Sequence, residues 1–199
     1  MRFKTIHHLI ILILFSMLMA CGTTQKSSQI ETDDIVIFEE YGIDTDLHEK
    51  FKTAISLIND KQYQEAASLL EDVTSHTKKH SAPYINLAIA YTGLNQIEKA
   101  ERTLKEAVLI NPYHPVTNNE LGLLYRKTGR FDLAKKTYET VVKRYPQFLP
   151  ARKNLGILCD LFMNDLQCAI SHYEAFLEIN PNEKEVKIWL TDLKRRVSQ

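Results

Sequence analysis

The sequence is short of the residues that several common architectures require. Six glycines in 199 residues are too few for a sheet-rich chain with many tight turns, or for a glycine loop that cradles phosphate. Net charge is lacking as well. The 25 Lys and Arg balance 25 Asp and Glu, and no basic stripe of the kind that binds nucleic acid stands out. No G-x-S-x-G, H-E-x-x-H, Walker-type loop or dinucleotide fingerprint occurs. The carboxylates are spread over stretches that read as helix surface, where charge is ordinarily solvated. These absences point to a helical non-enzyme with no cofactor and no metal.

What the chain does contain is repetition. Between Ser81 and Pro146 the run Tyr84, Leu87, Ala88, Tyr91, Ala100, Leu104, Ala107, Pro112 returns after 34 residues as Asn118, Leu121, Gly122, Tyr125, Ala134, Tyr138, Val141, Pro146. Every position but the first keeps its character. Leu87 with Tyr91, and Leu104 with Ala107, stand at helical spacing and give two helices an apolar stripe each. Ala88, Ala100, Gly122 and Ala134 are small enough to let paired backbones approach closely. Asn95 and Gly129 fall between the helices, where a residue tolerant of positive φ suits the turn. The prolines stop each second helix. A single hairpin of this kind cannot bury its own apolar face, so neighbours must stack on it.

A 34-residue period with this signature resembles the tetratricopeptide repeat (TPR), which implies an all-α, right-handed superhelical solenoid. Four repeats are expected, at 47–80, 81–114, 115–148 and 149–183. The first is degenerate: Ala54, Leu57, Ala66, Leu70 and Val73 keep the register, but Thr53 and Lys78 replace a large apolar residue and the closing proline. The fourth carries Leu155, Gly156, Cys159, Ala169, Tyr173, Phe176 and Pro181. Its halves are one residue too far apart, which places an insertion near Met163-Asn164-Asp165. Residues 184–199 form an amphipathic helix on Val186, Trp189, Leu190 and Leu193 that caps the far end. Its Lys194, Arg195 and Arg196 sit toward the C-terminus, which suits the helix dipole.

The N-terminus reads as an export signal. Arg2 and Lys4 precede a short apolar run, Leu9 to Met19, that is too brief for a permanent span. Leu18-Met19-Ala20-Cys21 resembles the bacterial lipobox. That resemblance implies cleavage after residue 20 and lipidation of Cys21 with diacylglyceryl and N-acyl (palmitate-type) chains, each buried CH₂ contributing about 0.8 kcal/mol of anchoring. Gly22 follows, not aspartate, which in Gram-negative lipoproteins implies the outer membrane, with the chain facing the periplasm. Residues 21–46 are then a lipid-anchored tether, acidic from Glu31 to Asp46 and free of Lys and Arg in that run. Within it, Ile35-Val36-Ile37-Phe38 either docks on the first repeat or binds a partner.

With Cys21 assigned to the anchor, Cys159 and Cys168 remain. They lie on opposite arms of the last hairpin and are read either as a disulfide, within reach across a short turn, or as two buried thiols. Cys159, Cys168 and His172 match no structural zinc spacing. His76 and His80 would share a face if one helix ran through both, but two further ligands are missing, and solvated histidines near a helix end are the simpler reading.

In TPR proteins the first helix of each repeat lines a concave groove. Carried over by position, that groove includes Ile85, Asn86 and Ile89; Asn119, Glu120, Leu123, Arg126 and Lys127; and Lys153, Asn154 and Ile157. Its polar members Asn86, Asn119, Arg126, Lys127, Lys153 and Asn154 would receive an extended or helical peptide. The two-carboxylate clamp of chaperone-binding TPR domains is absent, since Ile85, Ile89, Asn119 and Leu123 occupy its positions. The chain is similar to TPR lipoproteins that assist type IV pilus or outer-membrane assembly, and, through Gly156 to Leu161 and Trp189 to Leu193, to those that accompany TonB-type systems. A scaffold that binds another envelope protein is therefore expected, with no nucleic-acid partner. An adaptor for cell-wall hydrolases and a structural homodimer are the rival readings.

Overall fold

The computed structural model describes residues 45–199. The signal segment, Cys21, Ile35–Phe38 and the expected tether up to residue 44 lie outside the described residues, while Thr45 and Asp46, expected as the end of that tether, open the first helix. Nine α-helices and no strands occur among the described residues: α1 (Thr45–Asn59), α2 (Tyr63–His76), α3 (Ser81–Gly93), α4 (Ile97–Ile110), α5 (Pro115–Lys127), α6 (Phe131–Arg144), α7 (Leu149–Leu161), α8 (Leu166–Ile179) and α9 (Lys184–Val197). None of them is long and apolar enough to cross a membrane. Consecutive helices pair as hairpins, and each hairpin packs on the next in a linear stack. The first helices α3, α5 and α7 begin 34 residues apart, as the sequence period requires. The helical region starts at Thr45, two residues ahead of the expected repeat boundary at 47.

The turns explain the period. In the first three hairpins a backbone N–H reaches five residues back: Gln62 to the Leu57 carbonyl, Gln96 to Tyr91 and Arg130 to Tyr125, each at 2.8 Å. Such closure needs a left-handed residue just past the helix. Lys61, Asn95 and Gly129 supply it, with φ of 60°, 59° and 74°. The fourth turn contains the inserted residue. Asp165 there donates to the Cys159 carbonyl, six residues back, at 2.8 Å, and Asn164 takes positive φ. Asp165 also caps α8, its carboxylate accepting from the Cys168 N–H at 3.1 Å. Pro112, Pro146 and Pro181 each fall two residues beyond a second helix. Thr77 ends α2 in an extended conformation, φ −120° and ψ 107°, with no proline nearby. That ending corrects the histidine geometry. His76 is the last residue of α2 and His80 the N-cap of α3, so their spacing of four is not a helical spacing and they share no face.

The core lies between the two arms of each hairpin and between neighbouring hairpins. Ala54, Ala66, Ala88, Ala100, Ala134 and Ala169 are buried at the helix crossings. Gly122 and Gly156 mark the closest crossings. A Cβ on Gly122 would lie 2.4 Å from the Tyr138 ring, and one on Gly156 2.4 Å from the Tyr173 ring. Repeats one and two carry the inverse choice at the same register, Ala54 with Leu70 and Ala88 with Leu104, all buried. Volume is thus exchanged between arms at constant sum, as dense packing demands. At the far end α9 packs on α8 and buries Val186 and Leu193, with the Trp189 ring 5.6 Å from that of Tyr173.

Candidate functional site

The first helices α3 and α5 lie side by side, and the gap between them forms a pocket of about 440 Å³. Its walls are Ala88, Ile89 and Thr92 of α3, Glu120, Leu123, Leu124, Arg126 and Lys127 of α5, Leu104 of α4, and Phe162 from the turn after α7. The lining is mostly apolar with three ionisable groups, the composition of a recognition pocket. Helical spacing puts Glu120, Leu123, Leu124 and Lys127 one turn apart along α5, which is how one helix contributes both a carboxyl and an aliphatic wall.

The three charged groups differ in how well they are satisfied. Lys127 donates its ammonium to the Thr92 carbonyl at the end of α3, 3.2 Å away. Glu120 is half-buried and takes one long hydrogen bond, from the Asn119 amide at 3.3 Å. Loss of hydration pushes its carboxyl up to about 7, against the partial relief that the Asn119 donor gives. Among the described residues Arg126 has neither carboxylate nor side-chain hydrogen-bond acceptor, and its Nη1 is buried without a partner. Its guanidinium lies 5.8 Å from the Phe162 ring centre, and Phe162 in turn packs on Phe131 at 5.1 Å. Tyr138, wholly buried beneath α5, also has an unpartnered hydroxyl. Burial raises its phenol above the ordinary range, with Arg126 opposing and Glu120 adding to the effect.

Of the six polar residues expected in the groove, two line this pocket: Arg126 and Lys127. Ile89, Glu120 and Leu123 join them. Of the remaining four, Asn86 and Asn119 are buried, which departs from the expectation, while Lys153 and Asn154 are partly exposed outside this pocket. Asn86 is only 1 % exposed and turns its amide back to the Ala82 carbonyl of its own helix, at 2.9 Å. Asn119 is buried and accepts from the Asn154 amide at 2.9 Å, so these two tie α5 to α7. Lys153 is committed to Glu185 of α9 at 2.8 Å, over the Trp189 ring at 5.2 Å. For Asn119, Asn154 and Lys153 the reason is shared. Successive first helices pack against each other, and α9 brings an acid and an aromatic ring to α7, so positions that face a groove in an idealised repeat become seam residues here. Phe162 was not foreseen as a lining residue, although the inserted turn that presents it was.

The fourth hairpin carries the disulfide Cys159–Cys168, with Cα atoms 5.8 Å apart. These positions correspond to Tyr91 and Lys99 in the second repeat, where the ammonium sits 5.0 Å from the ring centre. A covalent link between the arms thus stands where the second repeat has a cation–π contact. Asp165 lies close to both sulfurs, but the sulfurs are spent on each other and are unavailable as thiolate ligands. In a separate cluster between α6, α7 and α8, His172 is held below its ordinary value by burial first, then by Arg152 and Lys135, against the pull of Asp165.

Family models described as tetratricopeptide repeat match residues 57–116 and 120–147. Among curated relatives, the BBSome complex member BBS4 homolog of Drosophila melanogaster is 27 % identical over 123 residues, 61 % of this chain but 25 % of that protein. The photosystem I assembly protein Ycf3 of Prochlorococcus marinus (strain NATL1A) is 26 % identical over 113 residues, 48 % of this chain and 65 % of that one. The chain thus spans about a quarter of the first and just under two thirds of the second. A probable N-acetylglucosaminyltransferase, SPINDLY of Solanum lycopersicum, is 28 % identical over 97 residues that make up only 10 % of its length. Among solved structures, a thermophilic TPR protein of Thermus thermophilus superposes with a TM-score of 0.68 at 21 % identity, over 75 % of this chain and 81 % of that one. MamA of Desulfovibrio magneticus RS-1 gives 0.66 at 19 % identity, over 79 % and 88 %. These similarities establish an all-α TPR fold, a scaffold suited to protein–protein interaction.

Proposed function

From a TPR fold with a mostly apolar pocket between two of its first helices, we propose that this chain is a lipid-anchored, non-catalytic scaffold that faces the periplasm from the outer membrane. It binds another cell-envelope protein there, and so assists the assembly or operation of an envelope machine such as a pilus, an outer-membrane or a TonB-type transport system. The observation that carries the binding role is the pocket between α3 and α5, in which Arg126 keeps a buried, unpartnered Nη1. A buried donor left unsatisfied costs about 1–3 kcal/mol, and since Arg126 as a whole is partly exposed, turning its guanidinium outward onto a partner's acceptor would remove that cost. The names of two curated relatives, an assembly protein and a complex member, agree with a scaffold. The anchor rests on Leu18-Met19-Ala20-Cys21, and the non-catalytic reading on the lack of any catalytic constellation in the sequence.

Site-specific photo-crosslinking in the native envelope tests the scaffold. Probes at Leu123 and Lys127 should give a discrete adduct that a probe at Lys136, exposed on the second helix α6, does not. Adducts from Lys136 alone would move the contact to the outer face. For the anchor, a clickable palmitate analogue should label the wild type and leave Cys21→Ala unlabelled. Equal labelling of both proteins would remove the lipid from the proposal.

A further inference from the structure

Resting on the scaffold reading, we infer that the α3–α5 pocket selects an acidic side chain flanked by aliphatic ones, within an extended internal segment of the partner, with the carboxylate seated on Arg126. Four observations converge on this chemistry. Among the described residues Arg126 has no ion pair and no side-chain hydrogen bond; its Nη1 is out of water, while the residue as a whole stays partly exposed. The Phe162 ring covers one side of the guanidinium, so an incoming carboxylate would meet a donor with little competing solvent. Lys127 is exposed and gives one of its three donors to the Thr92 carbonyl, so Arg126 is the less hydrated cation of the pocket. Ile89, Leu123, Leu124, Leu104 and Ala88 then offer an apolar surface beside it, enough for one or two aliphatic side chains next to the acid. Charge-assisted, bidentate Arg–carboxylate bonds are among the strongest contacts a short segment can make.

Glu120 shapes the selectivity. It lines the same pocket, and no ion pair joins it to Arg126. Its carboxyl receives the Asn119 amide; Arg126 and Lys127 line the same pocket, and Glu120 and Arg126 act in opposite directions on the Tyr138 hydroxyl. When ionised it opposes a second carboxylate; when protonated it does not. The pocket therefore accepts an acidic residue more readily as pH falls through neutrality, and rejects acid-dense segments in which two carboxylates would crowd one arginine.

The test uses the full chain in detergent micelles and fluorescent peptides blocked at both ends. One peptide carries a central Leu-Asp-Leu and the other Leu-Asn-Leu. The acidic peptide should bind at least about tenfold more tightly than its amide isostere. Arg126→Gln should erase that preference, whereas Lys136→Gln should leave it intact. Glu120→Gln should tighten the acidic peptide several-fold at pH 8 and leave the amide peptide unchanged, which keeps the test decisive even if Arg126→Gln misfolds. Equal affinity for the two peptides, or a preference that survives Arg126→Gln, would overturn the assignment. So would a requirement for a free C-terminal carboxylate, tested with an unblocked Leu-Leu peptide. A client crosslinked at Leu123 in the envelope, combined with no acid preference in micelles, would keep the scaffold and sink only the acidic specificity.

Discussion

At the scale of single residues, the informative positions are those where local chemistry conflicts with its surroundings. Lys61 is one. It occupies the left-handed turn position that Asn95, Gly129 and Asn164 fill in the other repeats, and a long L side chain is strained there. Lys61→Asn should raise stability by about 0.5 kcal/mol, seen as a melting temperature higher by about 1–2 °C. A lower melting temperature would mean that the lysine has a compensating contact.

Glu120 is another such position. Its carboxyl titrates at about 7 in the folded chain against 4.5 for a free side chain, so the folded state holds a proton that the unfolded state has already released. Stability contributed by the protonated form is complete below pH 4.5 and is lost as pH rises through about 7. Glu120→Gln should flatten that part of the stability–pH curve and leave the variant about 1–2 kcal/mol more stable than wild type at pH 8. Parallel curves for the two proteins in urea titrations between pH 4 and pH 8 would contradict this origin.

At the scale of the element, the hairpin is the unit, and its two arms share a fixed volume. Gly122→Ala drives a methyl into the Tyr138 ring and should cost about 1–3 kcal/mol. Tyr138→Leu, which copies the Ala88 and Leu104 combination of the second repeat, should restore most of that loss. A double-mutant cycle in denaturant would then show a favourable coupling of about 1 kcal/mol or more, and an additive cycle would mean that the two arms adjust independently. The same unit explains which parts of the site could be read from sequence. The period, the turn residues Asn95 and Gly129, the proline stops and the inserted residue near Asn164 follow from local chemistry, and they emerge where expected. The roles of Asn119, Lys153 and Asn154 do not, because each depends on how closely the next first helix, or α9, approaches.

At the scale of the molecule, a stack in which each hairpin contacts only its neighbours loses stability from its ends. The Cys159–Cys168 bond closes a short loop in the last hairpin, next to the cap that α9 forms. By loop entropy, its removal should cost roughly 2.5–3 kcal/mol, felt first in α7 to α9. Hydrogen exchange after reduction, or in Cys159→Ala/Cys168→Ala, should rise in residues 149–197 before it rises in 63–110. Uniform exchange along the chain would instead mean that the solenoid opens as a single cooperative unit.

The sequence alone determined the all-α repeat architecture, since a 34-residue period of small and large apolar residues admits few alternatives to stacked helical hairpins. It also determined where each hairpin turns, because positive φ, helix stops and an extra residue are properties of a few neighbouring amino acids. Only the tertiary structure decided which groove positions remain open. Whether Asn86 or Arg126 faces a pocket depends on the distance between helices far apart in sequence. That spacing is set by the summed packing of Gly122, Tyr138, Phe162 and their neighbours, and no local pattern records the sum.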